Sequence, residues 1–130
     1  MENSVIDLII RIKNSYLSGK EEAVSYYSKF KEEVLKKLKD LKYIKDYRIE
    51  ENSKKIKKII IELLYIDKNP ALTGVKIFSK PGRRYYVSYK DLKPVINGYG
   101  CSIISTPKGI ITDKEARSKK IGGELLFNIW

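Results

Sequence analysis

The chain contains no histidine and one cysteine, Cys101. These absences remove the commonest general base, the thiolate–imidazole pair and the usual zinc ligand sets. A lone cysteine cannot close an internal disulfide, which suits a reducing compartment, and Cys101 lies in an apolar β-pattern where it reads as a small packing residue. Long apolar runs are also missing, so nothing approaches the roughly 20 residues of a membrane-spanning helix. Acidic Glu2 and Asp7 interrupt the N-terminal apolar pattern and no small-residue cleavage site follows, so no signal peptide is expected. Adjacent carboxylates, Glu21-Glu22, Glu32-Glu33 and Glu50-Glu51, stand in a Lys-rich background as solvated faces do, and no Gly-rich phosphate loop occurs. The reading is a chain that is not an enzyme and takes no metal or cofactor.

What is present is aromatic and basic. Ten Tyr, three Phe and one Trp within 42% hydrophobic residues supply a core for 130 residues, enough for one ordinary domain or two small lobes. Lys and Arg total 27 against 16 for Asp and Glu, a formal charge of +11. A field of that sign draws polyanions by counterion release, which puts nucleic acid or an anionic membrane surface at the head of the partners. The rival explanation is a solvated Lys-rich surface set by composition bias.

Val5, Leu8, Ile9, Ile12 and Tyr16 recur at helical spacing up to Gly19, and a second helix begins after Ser28 and runs through Phe30, Val34, Leu38 and Leu41. Ala23 to Tyr26 reads as a short strand between them. Tyr43 to Ile49 and Ile59 to Ile66 form a hairpin around a polar turn, and Val75 to Phe78 a further strand ending at the type II turn signal Pro81-Gly82. This predicts an α+β fold: an α-β-α-β-β-β lobe over residues 1–80, packed against a β-rich lobe with short helices over residues 81–130. In the second lobe Arg84 to Ser88 is a strand, Asp91 to Asn97 a helical turn or two, and Cys101 to Thr106 and Ile110 to Thr112 strands around Pro107-Lys108-Gly109. Thr112 and Glu115 have capping-box spacing, which places a helix over Asp113 to Lys119 before a last strand, Glu124 to Trp130.

Two stretches carry chemistry suited to RNA. Ser79 to Tyr86 sets Arg83 and Arg84 beside Tyr85 and Tyr86, cations for phosphates and rings for unpaired bases. Alternation sends the two rings to opposite faces, one to the core and one free. Ser105-Thr106-Pro107-Lys108-Gly109 joins two hydroxyls, a cation and a glycine in one turn, a set able to meet phosphates and ribose 2′-OH groups, although such turns also serve only their own backbone. A groove-reading DNA-binding helix is not evident, and an enzyme built on carboxylates and Lys would need a pocket with a perturbed acid.

Read in order, these segments resemble the bacterial-type small-subunit ribosomal protein eight over nearly the whole chain. The most specific stretch runs from Gly98-Tyr99-Gly100 through Ile103-Ile104-Ser105-Thr106, Lys108-Gly109-Ile110-Ile111-Thr112-Asp113 and Ala116-Arg117 to Gly122-Gly123-Glu124. Upstream, Ile6-Asp7 with Arg11 to Asn14, Ser28-Lys29 with Lys31, and Ser79 to Gly82 with Arg84 and Tyr86 are similar to the family's other motifs. The resemblance implies a primary binder of the central domain of small-subunit (16S-type) rRNA that helps assemble the platform, and a translational repressor of its own operon mRNA. It also implies neighbouring small-subunit proteins five and twelve as partners and a ribosome-bound place in a bacterial cytoplasm or an organelle, with no membrane. RNA contacts would fall on Ser105, Thr106, Lys108, Gly109, Tyr86 and Arg84, with Glu124 holding the surface and Lys29 and Lys31 meeting a neighbouring phosphate backbone. The alternative is a basic nucleic-acid-binding regulatory module outside the ribosome. The chain departs from the family pattern at Asn3-Ser4, where Asp-Pro is usual, at Pro107, where a second Ser is usual, and at Trp130, beyond what the pattern fixes.

Overall fold

The computed structural model describes residues 3–130, without the side chains of residues 3, 4 and 97. The readings placed on Glu2 and on a cap at Asn3-Ser4 lie outside the described residues. The chain groups into two compact units, Asp7–Leu72 and Thr73–Trp130, the residues up to Ile6 falling with the second. Helices and antiparallel sheets make it an α+β protein.

Helix α1 (Asn3–Leu17) forms on the expected stripe, and Val5, Leu8, Ile9, Ile12 and Tyr16 are all buried. Gly19 stops it in the left-handed region at φ 69°, where glycine bears no Cβ penalty. Strand β1 (Glu22–Tyr26) leads to Ser28, whose extended backbone and hydroxyl cap helix α2 (Lys29–Asp40) by accepting from the Lys31 N–H at 3.1 Å. Strands β2 (Asp46–Glu51) and β3 (Lys57–Glu62) form the hairpin, with β3 between β1 and β2. Period-two alternation buries Ile59 and Ile61 on one face and turns Lys58, Ile60 and Glu62 to the other. A small hairpin not foreseen in the sequence follows, β4 (Tyr65–Ile66) and β5 (Asn69–Pro70). Its turn residues Asp67 and Lys68 both have positive φ, a conformation normally advertised by Asn-Gly or Asp-Gly, and here Lys stands where the Gly would be.

In the second unit, β6 (Val75–Ile77), β7 (Tyr86–Val87), β8 (Cys101–Thr106), β9 (Gly109–Thr112) and β10 (Gly123–Ile129) form one sheet. Strand β10 is its hub: β8 pairs along one edge, while β6 and β7 share the other, β6 beside Phe127–Ile129 and β7 beside Gly123 and Glu124. This corrects one element of the expectation, since Val75–Ile77 does not close the first lobe's sheet but joins the second. An apolar three-residue strand carries no mark of its partner, and its pairing spans some fifty residues of chain. The gap between β6 and β7 is closed by Ser79, fully buried, whose hydroxyl donates to the Leu125 carbonyl at 2.9 Å and accepts from the Tyr85 N–H at 3.0 Å. A bulge at Leu126 falls at the same place. Helix α3 (Asp113–Lys119) begins with the full capping box of Thr112 and Glu115. Its Ala116 packs with Leu92, Ile104, Ile111 and Leu125, and Phe78 and Val87 lie against them. Where one or two helical turns were expected, two 3-10 turns occur, Tyr89–Asp91 and Val95–Gly98. The indole of Trp130 lies on Gly74, where any Cβ would stand 2.5 Å from the ring.

Candidate nucleic-acid interface

The sheet register assembles the surface. Glu124 of β10 stands opposite Tyr86 of β7 on one side and Ser105 of β8 on the other. Directly opposed residues of antiparallel strands point to the same face, so the ring, the carboxylate and the hydroxyl form one row across three strands. They are 38 and 19 residues apart in sequence, and only the pairing of β10 with both neighbours unites them.

Tyr86 presents its ring to solvent at 72% exposure, whereas Tyr85 is 45% exposed and its ring leans on Phe78 with centroids 5.3 Å apart. The expected burial of one ring is not met: Tyr85 precedes strand β7 and covers only the core's margin, so both rings are exposed. Glu124 is 9% exposed, and its carboxylate lies 3.5 Å from the Arg84 guanidinium. Arg84 therefore neutralises a nearly buried acid at the edge of the row, while Arg83 beside it is exposed.

The turn after Ser105 is held from within. The Thr106 hydroxyl donates to the Gly109 carbonyl at 2.8 Å and accepts from the Lys108 N–H at 3.2 Å. Pro107 and Lys108 are exposed at its tip, and Gly109 adopts φ 120°, which a side chain would strain. Ser105 lies opposite Glu124 on this face. Gly123 lies under this turn: a Cβ there would meet the Ser105 carbonyl at 2.4 Å and the Thr106 methyl at 2.9 Å. The adjacent glycine does the same for β7, a Cβ on Gly122 falling 2.5 Å from the Val87 carbonyl. The two glycines together let β10 lie close beneath both arms of the row.

Lys29 and Lys31 sit apart from that row, at the start of α2. Lys29 is exposed. Lys31 is only 7% exposed, and its ammonium donates to the Ser25 hydroxyl at 2.9 Å and the Tyr26 carbonyl at 3.0 Å, fastening β1 to the helix.

A small basic α+β chain with a ring, hydroxyls and cations gathered on one sheet has the build of an RNA-binding ribosomal protein. The family follows from comparison: the description Ribosomal protein S8 matches residues 3–130, and the chain belongs to that family, a structural constituent of the small ribosomal subunit and not an enzyme. It is 41% identical to small ribosomal subunit protein uS8c of Tupiella akineta over 128 residues, 98% of each chain. It is 39% identical to the uS8 protein of Mycoplasmopsis synoviae over 130 residues, all of this chain and 98% of the relative. Against the uS8 protein of Rhodopseudomonas palustris the identity is 43% over 126 residues, 97% of this chain and 96% of the relative. No helix among the described residues is long and apolar enough to cross a membrane.

Proposed function

We propose that this chain is a primary binder of the central domain of small-subunit rRNA, and that it helps assemble the platform beside the subunit's proteins five and twelve. The supporting observation is the row Tyr86, Glu124, Ser105 across β7, β10 and β8, continued by the turn that ends at Gly109. Tyr86 stacks on an unpaired base or a sugar. Ser105 meets a phosphate or a 2′-OH, Thr106 and Gly109 hold the turn against the RNA, and Lys108 takes a phosphate. Arg84 and Glu124 keep the floor of the row rigid. Lys29 reaches a neighbouring phosphate backbone, with Lys31 ordering the helix start that presents it. The same surface binds an operon mRNA that mimics the rRNA site and represses its translation, in the cytoplasm or in an organelle.

Sequencing the RNA that co-purifies with the tagged full chain tests this reading. Enrichment of central-domain rRNA is expected, reduced in Tyr86→Ala, since one base–aromatic stack is worth about 1–3 kcal/mol. Recovery of RNA without enrichment of that domain, or equal enrichment in the variant, would refute it.

A further inference from the structure

The row just described leaves a second cationic, aromatic surface unused, on the first unit's sheet at the end away from Glu62. There Lys58 of β3 stands opposite Tyr26 of β1 and Glu50 of β2, on the outward face. Lys57 follows on the other face, its carbonyl accepting the Tyr27 N–H at 3.1 Å. Register alone would pair Lys58 with Glu50 and Lys57 with Glu51. The side chains do otherwise. The Lys58 ammonium lies 5.9 Å from the centre of the Tyr26 ring and the Lys57 ammonium 5.4 Å from that of Tyr27, while Glu50 turns to Arg48 at 3.7 Å. The two ammoniums therefore keep their charge and their outward N–H groups, since a ring's π-face attracts a cation without neutralising it. Tyr26 is 65% exposed, so its ring offers open surface beside a cation.

The loop between β2 and β3 adds Lys54 and Lys55 to the same end. The Asn52 side-chain oxygen accepts from the N–H groups of Lys54 at 2.8 Å and Ile56 at 3.0 Å, so the loop is held in shape. The face's acidic cluster lies elsewhere. Glu22, Glu62 and Asp46 form the row at the opposite end of the three strands, with the Arg48 guanidinium 3.1 Å from Glu22 and 3.2 Å from Glu62. Glu62 and Lys58 are four residues apart on β3, about 13 Å at the usual strand rise. That exceeds the roughly 8 Å screening length at physiological salt, so that row does not cancel the basic end; the acids at that end are Glu50, which faces Arg48, and Glu51.

We infer that Tyr26, Lys57 and Lys58 form a second RNA-backbone contact with a stacking ring, separate from the Tyr86 row. The occupant is RNA: the Lys58 ammonium lies beside the exposed Tyr26 ring and Lys57 adds a second charge at the same end of the sheet, phosphate spacing suits neighbouring lysines, and a ring flanked by a cation takes an unpaired base.

The test uses the full chain and an in-vitro transcript of small-subunit rRNA. The pair Lys57→Gln with Lys58→Gln keeps side-chain length and removes both charges, and Lys57→Arg with Lys58→Arg keeps the charges. Loss of two phosphate contacts should make the slope of log K against log salt shallower by about 1.4–1.8 in the Gln pair and leave it unchanged in the Arg pair. Hydroxyl-radical footprinting should show one protected segment lost in the Gln pair and in Tyr26→Ala, and that segment should persist in Tyr86→Ala. A wild-type slope and footprint in the Gln pair would overturn the inference, as would a requirement for this surface only when another ribosomal protein is added, which would make the occupant a protein. A failure of the Tyr86 reading shows separately, as an unchanged footprint in Tyr86→Ala.

Discussion

At the residue scale the tyrosines show how burial and partners divide one residue type among several tasks. Tyr86 is free, Tyr85 half covers the core, and Tyr16 is buried, donating to the Tyr43 carbonyl at 2.7 Å and accepting from the Leu64 N–H at 3.0 Å. Tyr27 and Tyr47 both donate to Glu32, at 3.0 Å and 3.2 Å. The Glu32 carboxylate thus ties the helix α2 to β2 and to the segment before the helix. Partial burial, and then the Glu32 charge and hydrogen bond, push the Tyr47 phenol up to about 12. Tyr27 is raised too, by its hydrogen bond to Glu32 first. The fold therefore favours the neutral phenol of Tyr47 over the phenolate. The stability that follows is fully present below the ordinary phenol value of about 10 and is lost as pH rises through the folded value. Alkaline unfolding is expected to begin in that window, and phenolate absorbance should show a late-titrating group that is absent in Tyr47→Phe. In Glu32→Gln the late group should titrate earlier. A titration of Tyr47→Phe superimposable on the wild type would show that another phenol is the late one.

Among the elements, the turn from Ser105 to Gly109 is where the proposed recognition and the folding meet. Thr106 is committed to the turn by two hydrogen bonds, so the proposed RNA contact falls to the Ser105 hydroxyl. Pro107 lacks an N–H and fixes φ, which stiffens the tip; a hydrogen bond nets about 0.5–1.5 kcal/mol and such stiffening about 0.4–1. Pro107→Ser should then change RNA affinity by less than about tenfold, roughly 1.4 kcal/mol. Ser105→Ala should cost more, and Lys108→Ala should make the salt slope shallower by about one. Titrations of the three variants at two salt concentrations decide it: wild-type binding in Ser105→Ala with an unchanged slope in Lys108→Ala would leave the turn a purely structural one. Much of this was legible beforehand, because local signals act locally. The capping box at Thr112, the α1 stripe, the Ser28 start and the turn at Pro81-Gly82, where Gly82 has φ 78°, all depend on neighbours a few residues away. Non-local pairing was not legible. Nothing in Val75–Ile77 announces β10, and nothing in Lys31 announces that its ammonium will be buried under β1. The seating of β10 beneath its neighbours left a trace only as Gly122-Gly123, whose close backbone approach has no signal beyond the glycines themselves.

For the whole molecule the question is how a charge of +11 is used. Charge spread evenly over a surface attracts any polyanion, whereas cations placed at discrete points contact a fixed number of phosphates. Several cations are engaged within the fold and so are held from a polyanion: Arg48 with Glu22 and Glu62, Arg84 with Glu124, Arg117 with Asp113 at 3.1 Å, Lys39 with Asp46 at 3.0 Å, and Lys31 inward. Lys29 and Lys108 are the cations assigned to the proposed rRNA contacts, and Lys57 and Lys58 those assigned to the inferred second one. Each phosphate neutralised on a duplex contributes about 0.9 to the slope of log K against log salt. Two contacts give a slope near −2 and four a slope of about −3 to −4, while participation of the whole net charge would approach −10. In the proposed reading the hydroxyl of Ser105 and the ring of Tyr86 add a part that salt does not screen, one that would distinguish RNA from DNA by contacting ribose and unpaired bases. Binding of the full chain to central-domain rRNA should therefore show a slope between −2 and −4 and should resist a large excess of duplex DNA at physiological salt. A slope near −10, with duplex DNA competing equally, would mean that a diffuse field does the binding and that the row across β7, β10 and β8 does not select RNA.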